Sequence, residues 1–80
     1  MEQNTRKIIR QTEDFILYDE SDDYMNRDVY EYFKPQTRII GKDRKIVFDK
    51  LVIEECNSVF GGDFFTYAFY FLNDKLIATE

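Results

Sequence analysis

Ser21 to Lys34 reads SDDYMNRDVYEYFK, and the fold class turns on this stretch. Ser21 is a good helix N-cap, and Asp22 and Asp23 follow in what would be the first turn, where carboxylates complement the helix dipole. Met25, Val29, Tyr32 and Phe33 keep the i, i+4, i+7, i+8 spacing of one buried stripe, while Asn26, Arg27, Asp28 and Glu31 take the outer face. Lys34 suits the carbonyl end and Pro35 cannot continue a helix. The spacing predicts a helix over about residues 22–34.

Outward from that segment the patterns are those of strands. Phe64 to Phe71, FFTYAFYF, puts six aromatics into eight positions. Phe65, Tyr67, Phe69 and Phe71 alternate with Phe64, Thr66, Ala68 and Tyr70, so the strand is apolar on both faces, as a central strand is. A helix lying over Thr66 and Ala68 would cover one face, and more of this chain or a partner the other. Lys75 to Thr79 pairs back across Asn73-Asp74, residues that tolerate left-handed turn geometry. Near the start, Lys7-Arg10 and Phe15-Tyr18 flank the turn Gln11-Asp14, as a hairpin or as one bent strand. Arg38-Ile40 and Lys45-Phe48 flank Gly41-Arg44 as another hairpin. Residues 46–60 admit two readings. They form a strand that either runs on or restarts after Asp49-Lys50, or a helix closed by Gly61-Gly62. The β-branched Ile46, Val52 and Ile53 favour the strand. The expected architecture is α+β: a small antiparallel sheet of four to six strands with one helix packed on it, in a single domain spanning residues 1–80.

The 80 residues bound the core tightly. A chain of this size buries only roughly 60% of its unfolded surface, and such cores rarely supply more than ~3–5 kcal/mol without a staple. Cys56 is the one cysteine, so no internal disulfide forms, and histidine is absent. That composition points to a reducing, cytoplasmic setting, with dense aromatics or a homodimer enlarging the core. No signal-peptide pattern opens the sequence and no stretch approaches a membrane span. Few Ala, Gly and Pro beside plentiful Ile, Phe, Tyr, Asn, Asp and Lys fit an AT-rich bacterial genome, its phages or its mobile elements.

Several chemistries are disfavoured by the residue types. Without histidine, Ser21 and Ser58 lack the usual base for acyl transfer, and neither lies in a nucleophile-elbow context. Cys56 follows an apolar run, the setting of a structural thiol. Gly61-Gly62 lacks the spacing and the lysine of a phosphate loop. Counting from Asp19, an EF-hand would need Gly and Glu where the chain has Tyr24 and Tyr30. The expectation is a protein that is not an enzyme, with no catalytic residues, no metal site and no cofactor.

Charge is distributed unevenly. Between Glu13 and Glu31 eight carboxylates stand against Arg27 alone, a local charge of −7 in a chain of net −5. From Lys34 to Lys50 the balance is +4, on residues interleaved with Ile and Phe. A pI near 4.7 makes nucleic acid an unlikely partner. Lysines on an edge hairpin keep sheets from joining edge to edge. Tyr beside carboxylates is the composition of a protein-binding face, in which tyrosines anchor and charges steer. Asp19, Glu20, Asp22, Asp23, Tyr24, Arg27, Asp28, Tyr30 and Glu31 are therefore the candidate partner-binding residues. The expected function is a small acidic regulator or inhibitor that occludes a basic site on a larger protein. The alternatives are a small-ligand or nucleotide pocket shaped by Tyr67, Phe69 and Tyr32, and a structural subunit of a homo-oligomer.

Overall fold

The computed structural model describes residues 7–80, and among them there are eight strands and no helix. The strands are β1 (Lys7–Gln11), β2 (Phe15–Asp19), β3 (Met25–Tyr32), β4 (Gln36–Ile40), β5 (Arg44–Phe48), β6 (Lys50–Ser58), β7 (Phe64–Leu72) and β8 (Lys75–Thr79). Six of them form one antiparallel sheet in the order β1-β2-β3-β6-β7-β8; β4 and β5 form a separate hairpin between β3 and β6. The protein is all-β, and the expected α+β class is overturned.

The expected helix over residues 22–34 is β3 and the loop before it. β3 pairs along its whole length with β6 on one side and, from Asp28 to Tyr32, with β2 on the other. An interval of four residues is about one helical turn and also two strand periods. Met25, Val29 and Phe33 therefore satisfy both patterns, and only Tyr32 falls out of step with a strand. The capping signal was ambiguous for a related reason, since Ser and Asp favour tight turns as much as helix starts. The Asp22 carboxylate accepts hydrogen bonds from the backbone N–H groups of Tyr24 and Met25, both 2.8 Å, and thereby closes the β2–β3 loop.

Residues 46–60 contain the end of β5, a bend at Asp49 and the nine residues of β6, so the helical alternative ended by Gly61-Gly62 does not form. The first, middle and last hairpins follow the sequence pattern. At the last turn Asn73 and Asp74 have φ of 51° and 65°, the paired left-handed geometry that matches the twist of a tight hairpin.

One face of the sheet carries Phe15, Tyr32, Leu51, Tyr70 and Ala78 in a row across five strands. The β4–β5 hairpin folds over the Leu51, Tyr70 and Ala78 part of that row and adds Ile40, Ile46 and Phe48 to the core. Phe48 (1% exposed) meets Tyr70 (0% exposed) edge to face, with ring centroids 4.9 Å apart. Burying each such side chain contributes roughly 1.5–3 kcal/mol, so this pair is a large share of so small a core. The cover expected from a helix thus comes from a hairpin. It reaches Ala68, while Thr66 stays exposed. The opposite face has Tyr18, Val29, Glu54 and Tyr67 in one row; Val29 and Cys56 are buried there, while Tyr67 and Phe65 toward the end of β7 are exposed.

Hairpin cations hold the cover in place. The Arg38 guanidinium lies 5.9 Å from the Tyr70 ring centroid and 3.8 Å from the Glu80 carboxylate. Tyr70 donates its hydroxyl proton to Glu80 Oε1 at 2.7 Å, and Arg44 donates to the Ile77 carbonyl at 3.1 Å.

Candidate functional site

Glu13, Asp14 and Glu31 lie toward the Asn73-Asp74 turn, whereas the Asp19–Asp28 part of the acidic tract and the exposed aromatics meet at the end of the sheet away from it. Two loops lie side by side there, Glu20–Tyr24 between β2 and β3, and Val59–Asp63 between β6 and β7. The Val59 N–H donates to the Tyr24 carbonyl at 3.1 Å, and the Tyr24 and Phe60 rings lie 6.4 Å apart. Both rings remain in water, Tyr24 at 70% and Phe60 at 78% exposure. Beside them Phe64, Phe65 and Tyr67 begin β7, also exposed, with Phe65 stacked on Tyr67. Large aromatics bared together mark an interaction surface more than a random scatter of apolar residues does.

The acidic loop is shaped by its own side chains. The Ser21 N–H donates to Asp19 Oδ1 at 2.9 Å, and the Arg27 N–H donates to Ser21 Oγ at 3.0 Å. Hydrogen bonding from Ser21, by side chain and then backbone, holds the Asp19 carboxyl below its ordinary pKa. The Tyr24 and then the Met25 N–H do the same for Asp22. Both groups hold their charge to lower pH than a free carboxylate, and their hydrogen bonds give the loop a defined shape.

Strand alternation splits the remaining candidates between two faces. Asp28 and Tyr30 lie on the face that the hairpin partly covers, Arg27 and Glu31 on the other. Asp19, Asp28 and Glu55 form one row across β2, β3 and β6, with Thr66 of β7 next in line. Lys7 of β1 stands opposite Asp19 at the outer end of this row and offsets its charge, whereas Asp28 and Glu55 face each other as like charges, which costs stability. Burial, and then the Glu55 and Asp28 charges, push the neighbouring Tyr30 hydroxyl above its ordinary pKa. Asp22, Asp23 and Tyr24 are exposed, whereas Asp19, Glu20 and Glu31 are half-buried. Arg27 lies next to Cys56 in register, and its Nε is buried without a hydrogen-bond partner among the described residues.

The structure adds Glu55, Phe60, Asp63, Phe64 and Phe65, which the reading of the sequence left out of the site. Phe64 and Phe65 were assigned to a central strand, and nothing in the pattern marked their end of that strand as bare. Tyr67, Phe69 and Tyr32, offered as the walls of a ligand pocket, do not share a face, and no pocket is present among the described residues. The described residues also contain no cluster of three or more His, Cys, Asp or Glu arranged to hold a metal ion.

Comparison with known proteins gives a short answer. No family model, curated protein or solved structure matches this chain.

The basic segment contrasts with the acidic end. Arg38 and Arg44 are engaged with Tyr70, Glu80 and the Ile77 carbonyl, Lys50 lies over the Phe71 ring, and Lys34 pairs with Asp14. Most of that charge is spent inside the molecule. No helix of the described residues is long and apolar enough to cross a membrane.

Proposed function

We propose that this protein is a non-enzymatic binding module that docks a basic surface of a larger protein through its acidic aromatic end, in the manner of a small regulator or inhibitor. The carrying observation is the convergence of exposed aromatics, from Tyr24 and Phe60 to Phe64, Phe65 and Tyr67, with the carboxylates of the β2–β3 loop and of Asp28, Glu55 and Asp63. Carboxylates there steer a basic partner at long range, and aromatic rings provide the short-range contact that slows its departure. Cys56 is buried and unpaired, which fits a reducing, cytoplasmic setting.

Affinity capture from native-source lysate, followed by binding kinetics on the captured partner across a salt series, tests the reading. The expected result is association that slows as salt rises, and slows at low salt when Asp23, Asp28 and Asp63 are changed together to Asn. An on-rate indifferent to both salt and these substitutions would refute electrostatic docking.

One observation favours a second reading, a homo-oligomer subunit. The sheet face bearing Val52, Tyr67 and Phe69 leaves the Phe65 and Tyr67 rings exposed. If that face closes a dimer, Phe69→Asp yields folded monomers; if the protein is already monomeric, sedimentation of the two forms is the same.

A further inference from the structure

Tyr24 and Phe60 differ from the other exposed aromatics in where they sit. The last paired rung of β3 and β6 is Met25 with Ser58, and the two rings come from just beyond it, one from each of two neighbouring loops. They are the most exposed large apolar side chains among the described residues.

The backbone beneath each ring is held in place. The Tyr24 N–H donates to Asp22 Oδ1 at 2.8 Å, and the Asp22 N–H donates to the Met25 carbonyl at 2.9 Å. On the other loop the Phe60 N–H donates to Ser58 Oγ at 3.1 Å, and the Gly61 N–H to the Ser58 carbonyl at 3.2 Å. Gly61 follows with φ 85°, a conformation that glycine adopts without strain, so the chain turns directly after the ring. The hydrogen bond from Val59 to Tyr24 ties the two loops together. Anchors ordered in advance lose less entropy on binding than mobile ones.

Shape and charge specify the occupant. The rings stand at loop tips and the described residues enclose no pocket, so the concave side of the contact belongs to the partner. Asp22 and Asp23 precede Tyr24, Asp63 follows Phe60 by three residues, and all three carboxylates are exposed. No Lys or Arg occurs from Leu51 to Asp74. Arg27, the one cation from Gln11 to Phe33, is half-buried with its Nε enclosed. The rings call for an apolar pocket, and the carboxylates around them call for cations on its rim. A membrane surface also accepts aromatic loop tips, but anionic headgroups repel carboxylates.

We infer that Tyr24 and Phe60 form a two-ring wedge that enters an apolar pocket of the partner protein, with Asp22, Asp23 and Asp63 meeting Lys or Arg side chains on the pocket's rim. This inference rests on the docking reading above and specifies the feature of the partner that is bound.

The probe is an amino-γ-cyclodextrin, whose apolar cavity admits two aromatic rings and whose rim carries ammonium groups. Neutral γ-cyclodextrin and phosphatidylglycerol vesicles are the comparison ligands. Tyr24→Ala, Phe60→Ala and Phe64→Ala are the variants, and aromatic NMR resonances of the whole chain report the contact. The expected result is that the cationic host shifts the Tyr24 and Phe60 rings and binds about tenfold more tightly than the neutral one, the scale of two or three exposed ion pairs. Tyr24→Ala and Phe60→Ala should each weaken binding about tenfold, the scale of burying one aromatic ring, and Phe64→Ala should leave it unchanged. If the cationic host instead shifts Phe64, Phe65 and Tyr67 and ignores both loop variants, the wedge is overturned while acidic docking stands. Equal binding of the two hosts at Tyr24 and Phe60 overturns the basic rim, and electrostatic docking with it. Binding of neither host overturns the wedge and leaves docking to its own salt test. Capture by the vesicles through the same two rings overturns the protein pocket in favour of a membrane surface.

Discussion

Two ends of the same aromatic strand meet opposite fates. At Tyr70 the ring is fully buried, packed against Phe48, flanked by Arg38 and hydrogen-bonded to Glu80. At Phe64 and Phe65, six and five residues earlier, aromatics of the same kind stand in water beside carboxylates. Composition along the strand does not distinguish the two ends. What differs is what lies over them: the β4–β5 hairpin packs on Tyr70 and does not reach Phe64. Aromatic density can therefore build a core at one end and a contact surface at the other, with the cover deciding which.

The comparison is most easily broken by truncation. Phe48→Ala or Tyr70→Ala should cost about 3–5 kcal/mol, comparable with the whole stability expected of so small a domain, and chemical denaturation should find these variants largely unfolded. Phe60→Ala should change the same midpoint by no more than about 0.5 kcal/mol. Equal losses at the two ends would mean that the loop-end aromatics are core after all.

A subtler change sharpens the covered end. Tyr70→Phe removes the hydroxyl that donates to Glu80 and should cost about 1 kcal/mol, read as a shift in denaturation midpoint at constant m-value. Burial, then the Glu80 hydrogen bond, raise the Tyr70 hydroxyl above its ordinary pKa. The stability this contributes is complete below pH 10, the value in the unfolded chain, and is lost as pH rises from there through the higher folded value. In the Phe variant the alkaline loss should be smaller.

The least effect is expected at the acidic loop. Asp19 and Asp22 have folded pKa values below the ordinary 3.8, so their stabilisation is present above that pH and fades as pH falls through the lower folded values. Asp22→Ala should reduce the steepness of acid unfolding slightly, followed by circular dichroism, because the loop would no longer depend on that carboxylate. An unchanged acid profile would show that the Asp22 hydrogen bonds do not hold the loop.

Much of the strand content was legible because turns announce themselves. Asn73-Asp74 accepts positive φ, and so does Gly41 (φ 64°) at the β4–β5 turn. The alternation in Phe64–Phe71 named both faces of β7 correctly. The error at residues 22–34 has a definite cause in the four-residue spacing of Met25 and Val29. A signal against the helix was present, since Val29, Tyr30 and Tyr32 are residues that strands prefer. For the site, the acidic loop and Tyr24 could be read directly. Phe60, Phe64 and Glu55 could not, because they reach the same end only through the β6–β7 turn and the register of β3 with β6.

By itself, then, the amino-acid sequence determined the turns, the two-faced character of the aromatic strand, and the segregation of negative from positive charge. These are local properties, set by backbone preference and side-chain chemistry. Only the tertiary structure decided that residues 25–32 are extended, because β2 and β6 offer hydrogen-bonding partners along both sides of β3. It also decided which aromatics are core, because burial depends on where a distant hairpin lands.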